Sequence, residues 1–159
     1  MVPERPPLAV TVSSAFTVCP RVTLSDAGLE LMEKSGAGAV VVIGSVAAVE
    51  VVGPTRPYNA VKAALVPYMK SVAQNYARKN VRVNMVSPGT IYFKGGVWNE
   101  REEKNPEMFK AAMARNPMGR MGKPEEVADA VVFLSSARAS FITGTNLIVD
   151  GCVTQRVQF

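Results

Sequence analysis

The chain has 159 residues, 48% hydrophobic and 19% charged, a length and balance that suit one domain with a single core and argue against intrinsic disorder. It contains no histidine, which closes every mechanism that needs an imidazole, from Ser-His-Asp and Cys-His nucleophiles to HExxH zinc sites. The formal net charge is +5, yet the 18 Lys and Arg residues form no block. The densest group, Arg78, Lys79 and Arg82, falls at an expected helix end where cations complement the dipole, so a solvated surface accounts for the charge first, a phosphate-bearing cofactor is the second reading, and no nucleic acid is expected.

Residues 1–20 read as an irregular segment holding one apolar run, Leu8 to Val12, and residues 21–159 as a single domain. No stretch reaches the ~18–20 apolar residues of a membrane span, so no membrane partner is expected. The start lacks the basic region and cleavage site of a signal peptide. Cys19 and Cys152 are too few and too far apart for a zinc site or a disulfide framework, and read as reduced thiols of a cytoplasmic protein. Leu24 to Lys34 carries apolar residues at helical spacing and Gly36 supplies its stop. Ala39-Val40-Val41-Val42-Ile43 is a continuous β-branched run bounded by glycines, the pattern of a strand buried on both faces.

From Pro57 to Lys79 the spacing predicts a helix with a small-residue face and a bend at Pro67, whose missing N–H cannot bond the carbonyl of Ala63. Val81 to Val86 predicts a second strand, ended by Ser87-Pro88-Gly89, and residues 99–116 a mobile helical excursion of mixed charge. Pro124 opens a helix through Leu134 with Glu125 and Glu126 in its first turn, and Asn146 to Val149 forms a third strand. Helices alternating with strands imply a parallel sheet with right-handed crossovers, hence an α/β, Rossmann-like three-layer fold of about three strands.

Tyr58 and Lys62, four positions apart, share one helix face. An ammonium beside a phenol favours the phenolate, so the pair can move a proton to or from a substrate oxygen. Ser45 follows the carboxyl end of the first predicted strand, where open α/β sheets hold their ligands, and its hydroxyl can donate to a developing oxyanion. A tyrosine and a lysine at this spacing are common in helices, and the serine at a strand end thirteen residues earlier is what gives the pair weight.

With these residues stand Tyr58-Asn59-Ala60-Val61-Lys62, Val81 to Gly89, Pro117-Met118-Gly119-Arg120, Gly122 to Val127, Phe141-Ile142-Thr143-Gly144 and Val149-Asp150-Gly151. In this order, over roughly residues 24 to 152, the sequence resembles the short-chain dehydrogenase/reductase family. The resemblance implies an NAD- or NADP-dependent interconversion of a small alcohol and ketone. It makes Ser45 the residue that orients the carbonyl, Tyr58 the acid/base, and Lys62 the partner of Tyr58 and of the nicotinamide ribose, with Pro88, Gly89 and Ile91 bordering the nicotinamide ring.

The sequence departs from the family pattern in several places. The first glycine is Gly28, so the family's glycine-rich phosphate turn is missing, and the stretch reads as the C-terminal portion of such a domain. The family's catalytic asparagine would fall near Thr17, and Cys152 replaces a common second glycine. Two other classes therefore stay open. One is a cofactor-free ester hydrolase using Ser45 with Tyr58 and Lys62, although Gly44-Ser45-Val46 lacks the Gly-x-Ser-x-Gly elbow. The other is a non-catalytic module. In each case a homo-oligomer is expected, through residues 24–34 and 57–79 or through an unpaired edge of the strand 39–43.

Overall fold

The valine run at the centre of the sequence becomes the centre of the sheet. The computed structural model describes residues 8–12, 26–51 and 57–157. In chain order these form β1 (Leu8–Val12), α1 (Asp26–Ser35), β2 (Gly38–Ile43), α2 (Pro57–Tyr76), β3 (Val81–Pro88), α3 (Val97–Lys104), α4 (Pro106–Ala114), α5 (Pro124–Ser135) and β4 (Asn146–Val149). The strands make one parallel sheet in the order β1-β2-β3-β4.

Two expectations are corrected by this order. Leu8–Val12 is not irregular: its five residues pair in register with Gly38 to Val42, because a short apolar, β-branched run completes the hydrogen bonding of a strand that is buried on both faces. The strand 39–43 consequently has no free edge, being flanked by β1 and β3, and the described sheet has four strands rather than three. Among the described residues its edges are β1 and β4. The expected excursion at 99–116 is two helices, broken where the Asn105 side chain accepts from the Met108 N–H at 3.1 Å and Pro106 opens α4. Helix α2 runs unbroken through Pro67 and tightens into a 3-10 turn at Ala77–Lys79.

Side chains alternate across the sheet. Val40, Val42, Val83 and Met85 face Leu29 and Met32 of α1 and Leu65, Met69 and Val72 of α2. Val41 and Val86 face Val131 and Leu134 of α5. Three layers result, with α1 and α2 on one side and α5 on the other. Gly38 is required by the first packing, since a Cβ there would lie 2.7 Å from the Met32 side chain.

On the α5 side β3 also carries polar groups. The Arg82 guanidinium donates to the carbonyls of Leu134 at 2.6 Å and Ser135 at 3.2 Å, the last of α5 and without helical partners, and to that of Ser136 at 3.0 Å, which also accepts from the Ala139 N–H. The fully buried Asn84 donates to the Ile142 carbonyl at 2.8 Å and accepts from the Thr145 N–H at 3.2 Å. On the opposite face of β3, Ser87 donates to Asn146 at 2.7 Å. The polar half of Val-Arg-Val-Asn is therefore a clamp on the end of α5 and the start of β4. Replacing Arg82 with Ala orphans several half-buried carbonyls and should destabilise the fold by about 2–4 kcal/mol, read as a lower urea midpoint at unchanged slope. Arg82→Lys, with one donor group instead of a fork, should recover less than half. A loss below about 0.5 kcal/mol for the alanine variant would reduce the clamp to an ordinary surface contact.

Candidate active site

Because all four strands run parallel, their carboxyl ends lie along one rim of the sheet, and the candidate residues collect there. Ser45 follows β2, Gly89 and Thr90 follow β3, and Val153 follows β4. With Tyr58 and Asn59 from the first turn of α2, they line a cleft of about 660 Å³. Its far wall is α3 and α4, through Trp98, Arg101, Met108 and Arg115 among others.

Ser45 is held tightly. The N–H of Gly44 donates to the Val86 carbonyl at 2.8 Å, and a Cβ at Gly44 would come within 2.7 Å of both Met85 Sδ and Ser87 Oγ. Only glycine lets β2 leave the sheet this close to β3. Ser45 then caps a 3-10 turn, Val46–Ala48, its hydroxyl oxygen accepting from the Ala47 N–H at 3.2 Å. That bond occupies a lone pair, and no described residue accepts the hydroxyl proton.

Tyr58 is half exposed. Lys62, one turn later, is only 5% exposed. Its Nζ donates to the Ile43 carbonyl at 3.2 Å and lies 5.7 Å from the centre of the Tyr58 ring. Burial pushes the Lys62 ammonium below the ordinary lysine value, since desolvation disfavours the charged form. Lys62 does not line the cleft; it stands behind Tyr58 and ties the start of α2 to the end of β2.

The remaining sequence candidates divide. Gly89 reaches the cleft, and its N–H donates to the Val149 carbonyl at 3.0 Å. A Cβ there would lie 2.8 Å from the Asp150 Cα, so glycine is required for β3 and β4 to end side by side. Pro88 closes β3 without lining the cleft. Ile91 pairs with Gly122 and lines a separate cavity of about 130 Å³. Thr90 borders both cavities, and its hydroxyl is buried without a partner. Thr17 lies outside the described residues.

Sequence reading missed the walls. Trp98, in the first turn of α3, carries the Arg101 guanidinium 4.5 Å above its ring centre. Tyr92 donates to Glu102 and meets the Phe109 ring edge-on at 6.0 Å, which fixes α3 and α4 to the end of β3. Behind the rim, Asp150 accepts from the N–H groups of Cys152 at 2.9 Å and Thr154 at 2.8 Å, bending the chain back. Cys152 sits there with φ +68°, a conformation that suits the glycine it replaces better than a cysteine. The returning segment is pinned to the Ser45 turn by Gln155, which donates to Glu50 at 2.9 Å, and by Arg156, which donates to the Val49 carbonyl at 3.1 Å. No periodicity marks these last two contacts, since each joins residues more than 100 positions apart.

A parallel sheet covered by helices on both faces, with its cleft at the carboxyl rim, defines the Rossmann-like class of α/β domains. The pattern described as Enoyl-(Acyl carrier protein) reductase matches residues 8–154. The chain belongs to the short-chain dehydrogenase/reductase family. It is 36% identical over 148 residues to the isoepoxydon dehydrogenase of Penicillium expansum, covering 92% of this chain and 57% of that one. The 2-(S)-hydroxypropyl-CoM dehydrogenase 3 of Xanthobacter autotrophicus is 36% identical over 148 residues, with 92% and 56% covered. A solved structure from Agrobacterium tumefaciens, a provisionally assigned 2-deoxy-d-gluconate 3-dehydrogenase with bound NADP, superposes with TM-score 0.74 at 32% identity, covering 83% of this chain and 53% of that one. The chain thus spans about half the length of the curated relatives it matches.

The smaller cavity is closed by an ion pair with a readable pH signature. Arg120 donates to both carboxylate oxygens of Glu126, at 2.9 and 2.6 Å, and the Lys123 N–H adds a bond at 2.8 Å. The guanidinium first and the backbone N–H second hold the Glu126 carboxyl at about 2. A depressed native value means that this contribution to stability is complete above the ordinary glutamate value and lost as pH falls through the native one. Stability should decline between about pH 4.5 and 2, and Glu126→Gln should flatten that part of a urea-midpoint-against-pH curve. An unchanged acid limb in the variant would remove Glu126 from the account.

Proposed function

We propose that this chain carries the proton-handling rim of a nicotinamide-dependent oxidoreductase that interconverts a small alcohol and a ketone. The observation that carries the reading is the convergence of Ser45 and Tyr58 on one cleft, with the buried Lys62 ammonium behind the Tyr58 ring. In the reducing direction the Ser45 hydroxyl donates to the substrate carbonyl and holds it, while Tyr58 gives its proton to the same oxygen as negative charge develops there. The Lys62 ammonium favours the phenolate left behind. In the oxidising direction Tyr58 takes the hydroxyl proton back.

The nicotinamide end of a cofactor fits this rim. Gly89 opens the end of β3, and the orphaned Thr90 hydroxyl is a polar atom that only a ligand or water would satisfy. A bound nicotinamide would accept or supply the hydride at the substrate carbon, with Tyr58 and Gly89 as its neighbours in the cleft; Lys62 and Pro88 stand behind the lining and Ile91 borders the adjoining cavity. At the pyrophosphate end the described residues offer no glycine-rich turn. NAD and NADP therefore both remain open, the NADP-bound relative favouring the second.

The hydrolase alternative receives no support from the hydrogen bonding, because no described base takes the Ser45 proton. Association of copies is proposed through α2, where Ala60, Ala64, Pro67 and Ser71 lie exposed along one stripe, rather than through β2. Nicotinamide fluorescence titrations with NADH and NADPH should show saturable enhancement for at least one. Tyr58→Phe should keep that binding and lower the rate of ketone reduction by about 10²–10⁴. Absence of any fluorescence change with both cofactors, or full activity in Tyr58→Phe, would sink the reading.

A further inference from the structure

The cleft is electrostatically one-sided. Arg101 and Arg115 both line it, and none of the described residues lining it is acidic. Neither guanidinium makes a hydrogen bond or ion pair to a described residue; Arg101 only rests on the Trp98 ring. By contrast, Arg120 and Lys79, outside the cleft, are paired with Glu126 and Glu33. The other lining residues that α3 and α4 contribute, among them Val97, Met108 and Ala112, are apolar. A neutral ligand filling this space would cover two cations without pairing them, which is costly, whereas an oxyanion meets a fork of donors in a field of one sign.

We propose that the substrate is an oxo acid or hydroxy acid whose carboxylate is held by Arg101 and Arg115, while its carbonyl or hydroxyl meets Ser45 and Tyr58. This inference rests on the oxidoreductase reading of the same cleft. It names a substrate class, an acid with an apolar chain between its two functional groups, and makes the two arginines specificity determinants.

Trp98, the single tryptophan of the chain, lies under Arg101 and reports on this end of the cleft. The test titrates the full chain with 4-oxopentanoate, 6-oxoheptanoate and 8-oxononanoate and with their methyl esters, following Trp98 emission and confirming by calorimetry. At least one acid should bind about tenfold or more tightly than its ester, and the advantage should shrink as salt rises. Arg115→Gln should bring the acid-to-ester ratio towards one. Equal affinities across the series, no binding of any acid at millimolar concentration, or an unchanged ratio in Arg115→Gln overturns the proposal. So does displacement of a bound acid by NADP alone, which would give the arginines to the cofactor. Nicotinamide absorbance separates the two readings. Acid binding without turnover counts against the oxidoreductase and leaves the carboxylate site standing, whereas equal turnover of acid and ester retains the oxidoreductase and removes the carboxylate site.

Discussion

Arg82 rises from a strand whose inward-facing neighbours are sealed, and directs its donors at the carbonyls that α5 leaves unsatisfied at its end. Two residues on, Asn84 does the same for the segment that leads into β4. Burying such polar groups is tolerable only when each finds a partner, and here the partners are backbone groups of two other elements. The strand therefore fixes where α5 stops and where β4 begins. Everything at the carboxyl rim inherits that register: Gly89 can lie against Asp150 only because β4 ends where it does.

The rim in turn is assembled by close approach. Gly44 passes Met85 and Ser87 at a distance no side chain permits, and Gly89 passes Asp150 in the same way. These two glycines bring the exits of three adjacent strands together, so residues far apart in sequence, Ser45, Thr90 and Val153, come to line one cleft. The helices α3 and α4 close its other side, secured by Tyr92 through Glu102 and Phe109.

Much of this was legible beforehand, for reasons that can be named. β2 announces itself as an apolar run between glycines, β3 as valines alternating with Arg82 and Asn84 ahead of Pro88, β4 as a short run between Gly144 and Gly151, and α5 by proline and two glutamates at its start; local chemistry decides these elements. Ser45, Tyr58 and Lys62 were legible because their spacing around a strand end and a helix start is itself a geometric statement. β1 was not, since five residues, four of them apolar, say nothing of a partner strand until β2 offers its edge. Nor were the walls of the cleft. Arg115 reads as a cation ending a helix, and only the fold turns it towards the serine and tyrosine. The packing of Trp98 under Arg101 depends on where α3 begins, a boundary set by the Gly96 N–H bonding back to the Phe93 carbonyl at 3.0 Å.

Lys62 ties the start of α2 to the end of β2 behind the cleft. Its Nζ holds the carbonyl of Ile43 while the next peptide group, the Gly44 N–H, is held by Val86. The residue before Ser45 is thus gripped from both faces, once by α2 and once by β3, and Tyr58 rides on the same helix one turn earlier. Desolvation works against the ammonium, and the carbonyl and the ring face work for it. A smaller or neutral side chain at this position would remove the grip and the charge together, leaving a cavity between α2 and the strand end. In a chain without histidine the serine and tyrosine are therefore positioned through one lysine, whose contacts with the Ile43 carbonyl and the Tyr58 ring join the end of β2 to the start of α2.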